Sequence, residues 1–274
     1  ADRPHLVPPF VQARFQEGAW TGEFTAAVLF VDIPGFTRLT EQLWQEAHDG
    51  AEKLSEALRA GFSPMIAAVG RQGGLVPLLA GDAFTAVFPI HNQTEAKQTL
   101  IRAVSTAMAF QRELSPARQY EQTPHSAIQA VKVGISYGRV AWGIVGEDGQ
   151  HAYYFRGEPI ERAGLAQQFA RAGEIVFDVT AVDRLPDVVT ACHLEPIAAR
   201  TDFAYLVDCL LPLIDGDAAW PPASQETLAP FVPASVLSLA DTVDFREACP
   251  VFISFASDID EVALHAFIRL ALRL

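Results

Sequence analysis

Two aspartates fifty positions apart carry the chemistry this sequence can be expected to do. Asp32 closes the apolar, β-rich run Ala26 to Val31. Pro34 and Gly35 follow, and a helical pattern begins near Thr37. Asp82 follows Gly81 between the apolar runs LVPLLA and AFTAVF, which reads as a hairpin with an acidic turn. A carboxylate at the mouth of a buried strand suits a cation, and the unpaired N–H groups of a helix start suit phosphate oxygens. Two carboxylates meeting across adjacent strand ends would make a hard-oxygen site for magnesium or manganese, with retained waters and phosphate ligands. Each unit alone has a plainer use: Asp32 as a helix cap, Gly81-Asp82 as an ordinary turn. The pair in this order, with one long helix between, is the more specific signal.

The elements that must position these residues are legible as periodicities. Leu39, Leu43, Ala47, Ala51, Leu54, Leu58, Phe62, Met65 and Val69 recur every three or four residues. They predict one amphipathic helix of about eight turns, bent or broken at Gly61 and Pro64. A second helix is expected from Ala96 to Leu114. Strands follow at 128–137 and 140–145, joined at Gly138, then a turn at 146–150 and the strand HAYYFR. A helix from Pro159 to Ala172, closed by Gly173, precedes short strands at 175–178, 193–196 and 204–209. The order is βαββαβ with an added hairpin, helix and strands, the ferredoxin-like palm of the α+β class. Gly134, Gly138, Gly143 and Gly146 form no phosphate loop and read as turn and close-packing positions.

The ends read differently. LVPPFVQARF is expected to pack on the domain edge, and residues 212–235, rich in Pro, Ala and Asp, look like a linker. PVFISFA and the helical DEVALHAFIRLAL then resemble a degraded copy of residues 26–45, with Ser257 where Asp32 stands. The expected division is a main domain at 1–211, a linker at 212–245 and the start of a second, similar domain at 246–274. The apolar face of that tail helix needs cover.

Composition excludes several classes. With 20 basic and 33 acidic residues the formal charge is −13, and no basic run is present, so nucleic acid is not an expected partner. No signal peptide or 18-residue uncharged apolar stretch is found, which predicts a cytoplasmic protein without a membrane segment. Cys192, Cys209 and Cys249 have no metal spacing and form an odd set, which suits a reducing compartment.

FVDIPGFTRLTE followed by GGLVPLLAGDAFTAVF resembles the class III adenylyl/guanylyl cyclases. The likeness is in particular to the first of the two cyclase domains of soluble, bicarbonate-responsive adenylyl cyclase and its bacterial relatives. It covers roughly residues 6–208 and resumes at 245–274. The resemblance implies that Asp32 and Asp82, with the backbone carbonyl of Ile33, hold two Mg2+ or Mn2+ ions with nucleotide bound. It implies that Gly35, Phe36 and Thr37 offer backbone N–H groups to the phosphates of ATP. A two-ion site, with ions about 4 Å apart, suits in-line displacement.

The rest of that machinery is replaced. Counting from Gly157, Glu161 and Leu165 stand where the family's Asn and Arg are expected, so no catalytic residue of that pair lies in this half. Leu78 stands where the adenine-selecting lysine belongs, and Tyr154 near its acidic partner. Leu78 and Gly164 also replace the basic residues of the bicarbonate site, which argues against activation by that route. Glu158 and Glu161 read as ordinary acids at a helix start, and Arg156 and Arg162 as surface ion-pairing residues. The reading that follows is the metal-binding half of a cyclase making cyclic AMP from ATP, completed by a second cyclase domain in the same chain or another copy. The alternative is a non-catalytic cyclase-homology module with a regulatory or partner-binding role. A polymerase or diguanylate-cyclase palm shares the two-metal chemistry, but its glycine-rich acidic hairpin is missing.

Overall fold

The computed structural model describes residues 7–35, 50–90, 92, 95–114, 130–147, 149–182, 192–198, 200–209, 228–232 and 259–272. In chain order the elements are α1 (Pro9–Gln16), β1 (Thr21–Asp32), α2 (Gly50–Arg71), β2 (Leu75–Ala80), β3 (Ala83–Ile90) and α3 (Ala96–Glu113). There follow β4 (Lys132–Glu147), β5 (Gln150–Arg156), α4 (Glu158–Phe169), β6 (Ile175–Asp178), α5 (Val179–Val182), β7 (Cys192–Ile197), β8 (Arg200–Cys209) and α6 (Glu261–Leu272). The strands lie in the order β2-β3-β1-β4-β6-β8-β7, with β5 paired to β4. The expected βαββαβ core is present, and β4 runs parallel to β6 while β1 and β3 are antiparallel.

The chain divides into two compact units: residues 23–141 with 155–221, and residues 1–22 with 142–154 and 222–274. In the first, the alternation along β1 sends Ala27, Leu29 and Val31 into the main core. There they meet Phe62, Met65 and Val69 of α2 and Leu100, Ala103 and Phe110 of α3. Phe62, Phe84 and Phe110 stack edge to face at centroid distances of 5.7 and 6.2 Å, joining β3 to both helices. In the second unit, Phe10 packs at right angles on Trp142 with centroids 5.2 Å apart. Phe15, Trp20, His151 and Phe231 form an aromatic cluster. Phe231 lies in the stretch expected as linker, yet Leu228 is buried and the His151 N–H donates to the Pro230 carbonyl at 2.8 Å. In α6, Leu264 is buried and His265 Nε2 is 3.0 Å from the Tyr154 hydroxyl, but Val262 and Leu270 are exposed, so the apolar surface of this helix is covered only in part. The strand PVFISFA lies outside the described residues.

Three expectations are corrected. Gly61 and Pro64 do not break the helix, which runs unbroken from Gly50 to Arg71. Ala60, whose carbonyl loses its partner to Pro64, is exposed, as is Pro64, so water can replace the missing bond while the Phe62–Met65–Val69 face stays packed. Gly138 joins nothing: β4 passes straight through it, and a Cβ there would lie 3.3 Å from Pro159 Cγ, so the glycine serves close approach. Cys192 and Cys209, opposite each other on β7 and β8, are joined in a disulfide. That pairing removes the cysteine argument for a reducing compartment. Among the described residues, no helix is long and apolar enough to cross a membrane.

Candidate functional site

The antiparallel ladder of β1 and β3 builds the site. Its register runs from Thr25 opposite Ile90 to Asp32 opposite Ala83. One step further, the Ile33 N–H donates to the Asp82 carbonyl at 3.0 Å. Asp32 and Asp82 therefore occupy the same end of neighbouring strands, both half-buried. Gly81, at φ +62°, supplies the left-handed residue of the tight turn that carries Asp82. Past Ile33, Gly35 is exposed at φ +80°; Phe36 and Thr37 lie outside the described residues.

The even-numbered positions of β1 face away from the main core, toward α4. Phe30 is the nearest group to a Cβ built on Gly164, and Asp32 continues that face. On the neighbouring strand β4, Lys132 and Gly134 share one face by the two-residue period. A Cβ at Gly134 would overlap the Ala163 carbonyl oxygen and lie 2.5 Å from the Gln167 backbone nitrogen. Only glycine lets α4 settle this closely. At that spacing Gln167, buried in the stripe Ala163–Ala166–Ala170, reaches across to β1, where its Nε2 donates to Asp32 Oδ2 at 2.7 Å. Lys132 Nζ lies 3.2 Å from the same oxygen, with both side chains of the ion pair 22% exposed. No described residue donates to Asp32 Oδ1.

Nothing beyond local context in the sequence marks Lys132 or Gln167 as site residues. The available signal was local in each case: a lone lysine opening an apolar strand, and a lone amide in an alanine stripe. Glu161 and Leu165 both lie on the exposed side of α4, and Leu78 is exposed on β2. None of the three contributes a contact to Asp32.

A second ionic cluster stands on the other side of α4. Arg162 Nε and Nη2 each donate to the Asp178 carboxylate at 2.6 Å, and Nη2 also reaches Asp202 at 3.1 Å. Ser136 and Thr180 donate to Asp178 at 2.8 and 2.7 Å. Burial alone would push the Asp178 carboxyl up, but the bonds from Arg162, Thr180 and Ser136 outweigh it and hold the group below the ordinary range. The bond from Arg200, opposed by burial and joined by that from Arg162, brings Asp202 down to about 2. The guanidinium of Arg162 is correspondingly raised, first by its bond to Asp178. Arg162 is thus no surface ion-pairing residue: it lies over the Phe203 ring at 4.7 Å and ties α4 to β6 and β8.

The donor set at the first site fits a hard divalent cation. Among the described residues it comprises two carboxylates at one ladder end, one of them with an oxygen to which no described residue donates, and no sulfur or imidazole ligand. Among the described residues no group of three or more His, Cys, Asp or Glu gathers into a metal cluster, so the other ligands would be carbonyl, water and phosphate oxygens.

Comparison with known proteins bears on the family and the fold. The profile of the adenylate and guanylate cyclase catalytic domain matches residues 23–196. Human adenylate cyclase type 10 is 26% identical over 175 residues, which is 63% of this chain and 11% of that protein. The chain thus spans about a tenth of the length of the adenylate cyclase type 10 proteins it matches. The crystal structure of the adenylyl cyclase CyaB from P. aeruginosa aligns over 69% of this chain and 96% of its own, at 25% identity and a TM-score of 0.56. A bacterial light-regulated adenylyl cyclase aligns over 77% of this chain and 60% of its own, at 19% identity and a TM-score of 0.58, a likeness of fold.

Proposed function

Since this chain belongs to the family of adenylate and guanylate cyclase catalytic domains, we propose that it is the metal-binding half of a class III cyclase that turns ATP into cyclic AMP and pyrophosphate. The observation that carries this is the pairing of Asp32 and Asp82 at one end of the β1–β3 ladder. In the proposed reaction the ribose 3′-hydroxyl gives its proton to solvent and its oxygen attacks the α-phosphorus. The bond from that phosphorus to the bridging oxygen breaks, and pyrophosphate leaves. Bound Mg2+ or Mn2+ would supply charge neutralisation and Lewis acidity there.

The chain's own residues divide the work. Asp32 and Asp82, with the carbonyl of Ile33, would hold the metal. Gly35, Phe36 and Thr37 would present backbone N–H groups to the phosphates. Lys132 balances the Asp32 carboxylate at 3.2 Å. When a cation takes that carboxylate, the lysine's nearest new anion is the substrate triphosphate, which gives it a role in nucleotide binding. Leu78, Glu161 and Leu165 supply neither base recognition nor a cation for the transition state, so a partner cyclase domain is proposed to bring both. Activation by bicarbonate through Leu78 and Gly164 is not proposed, for neither can hold an anion by charge. The proposed substrate places the reaction in the cytoplasm.

The test is a cyclase assay with Mn2+ and either ATP or GTP, on this chain alone and on a longer protein containing a second cyclase domain. The chain alone is expected to be inactive or nearly so, since each missing charge stabiliser typically costs about 10²-fold or more. Robust cyclic AMP production by the chain alone would overturn the reading. One observation favours the second reading, a non-catalytic cyclase-homology module: Lys132 already balances the charge of Asp32 without a metal. Absence of Mn2+ uptake in the presence of nucleotide would decide for it.

A further inference from the structure

We infer that Gln167 is a positioning residue for the metal-binding carboxylate, holding Asp32 by Oδ2 so that Oδ1 is the oxygen presented to the cation. This rests on the reading of Asp32 as a metal ligand. The amide is 6% exposed, in a helix stripe whose other members are alanines. A buried amide is costly unless it is bonded, so the stripe would favour an apolar residue at this position. Facing a carboxylate, the amide must turn its nitrogen toward it, and the contact is 2.7 Å to Oδ2.

Two groups meet at that one oxygen, and they differ in mobility. Lys132 holds its charge on a flexible four-carbon stem and can swing to another anion. Gln167 cannot follow a moving partner, because its helix is fixed on both sides. The Gly134 close approach sets the spacing of α4 from β4, and the two bonds of Arg162 to Asp178 tie the same helix to β6. The amide is therefore the permanent donor and the lysine the exchangeable one. A carboxylate held by one oxygen offers the other in a set direction. Magnesium, which demands near-ideal octahedral geometry, gains from that more than calcium, which accepts irregular shells.

The experiment follows Mn2+ uptake by electron paramagnetic resonance on the 274-residue chain with a non-hydrolysable ATP analogue, then its displacement by Mg2+ or by Ca2+. Gln167→Met keeps the volume and removes the donor; Gln167→Asn keeps the amide but draws it back from Asp32. Both are checked for an intact thermal transition, and the asparagine variant stands in if the methionine variant does not fold. Magnesium affinity is expected to fall about ten-fold or more, as for other groups that orient a metal ligand. Calcium affinity should fall much less, narrowing the preference between the ions. A merely structural role would weaken both ions equally; that result, or no loss for either, overturns the proposal. Asp32→Asn separates the two levels. If it leaves Mn2+ uptake unchanged, the metal-site reading fails and takes this proposal with it. If it abolishes uptake while the Gln167 variants retain the wild-type ion preference, the positioning role alone is wrong.

Discussion

Asp32 and Asp178 are both aspartates at strand ends, each held by a cation and by neutral donors, yet they are built for opposite purposes. Asp178 is 1% exposed and takes a bidentate guanidinium and two hydroxyls, so both its oxygens are occupied. Asp32 is 22% exposed, and its lysine and amide crowd onto one oxygen. A saturated, buried carboxylate fixes structure, because nothing can enter without breaking a bond that no water will replace. An undersaturated one at the rim can exchange partners at little cost. The helix α4 separates the two and serves both, with Arg162 facing one and Gln167 the other.

The contrast breaks most visibly at Arg162. Arg162→Met leaves Asp178 buried without its cation and should cost about 3–5 kcal/mol in a denaturant titration. A cost under about 1 kcal/mol would mean that Asp178 is no anchor. The acid limb of the stability profile gives an independent check. Asp178 and Asp202 are held below the ordinary range in the fold. Their contribution is complete above the unfolded pKa of about 3.9 and is lost as pH falls from there through the folded values. In Arg162→Met that decline should be smaller, because without the guanidinium the folded values rise toward the unfolded one, while its onset, set by the unfolded pKa, stays where it is.

Gly134→Ala comes next. The added methyl meets backbone of α4, which cannot rotate away as a side chain would. A cost of about 1–3 kcal/mol is expected, together with weaker Mn2+ uptake as Gln167 withdraws from Asp32. Loss of stability with unchanged uptake would separate the helix position from the site. The smallest effect on stability should come from Lys132→Met, within about 1 kcal/mol because the pair is partly exposed. Its effect on binding is more telling. Without the competing cation, bare Mn2+ should bind more tightly, while the Mn2+–nucleotide complex should bind less tightly. Movement of both in the same direction would refute the exchange of partners proposed for this lysine.

What the sequence made legible was what local period and punctuation encode. The strand–helix–hairpin order around Asp32 and Asp82 was readable because apolar runs and a Gly-Asp turn announce strand ends. The hairpin joins only β2 to β3; that β1 pairs with β3, which makes those ends neighbours, is a tertiary outcome of the sheet order. The contacts that decide how Asp32 behaves were not readable. Gln167 lies 135 residues away in sequence and meets Asp32 only because Gly134 admits the helix. Arg162 looked like a surface charge because its partner, Asp178, ends a strand whose place in the sheet is a tertiary outcome. The disulfide was hidden for the same reason: the register of β7 on β8 brings Cys192 opposite Cys209. At Gly138 and Pro64, residues that usually punctuate were overridden, by close packing of Pro159 and by a well-buried helix face.

The strand order has a consequence for self-association. β2 and β7 end the main strand path, and each carries a proline, Pro77 and Pro196, that removes a donor from the backbone row. β7 is also stapled to its neighbour, so it cannot peel away to template another chain. Such borders resist fibril-like stacking by backbone pairing. Beside Asp82, however, the β2 border displays Leu78 and Leu79 to solvent. A protein that meets this margin would grip side chains rather than extend the sheet.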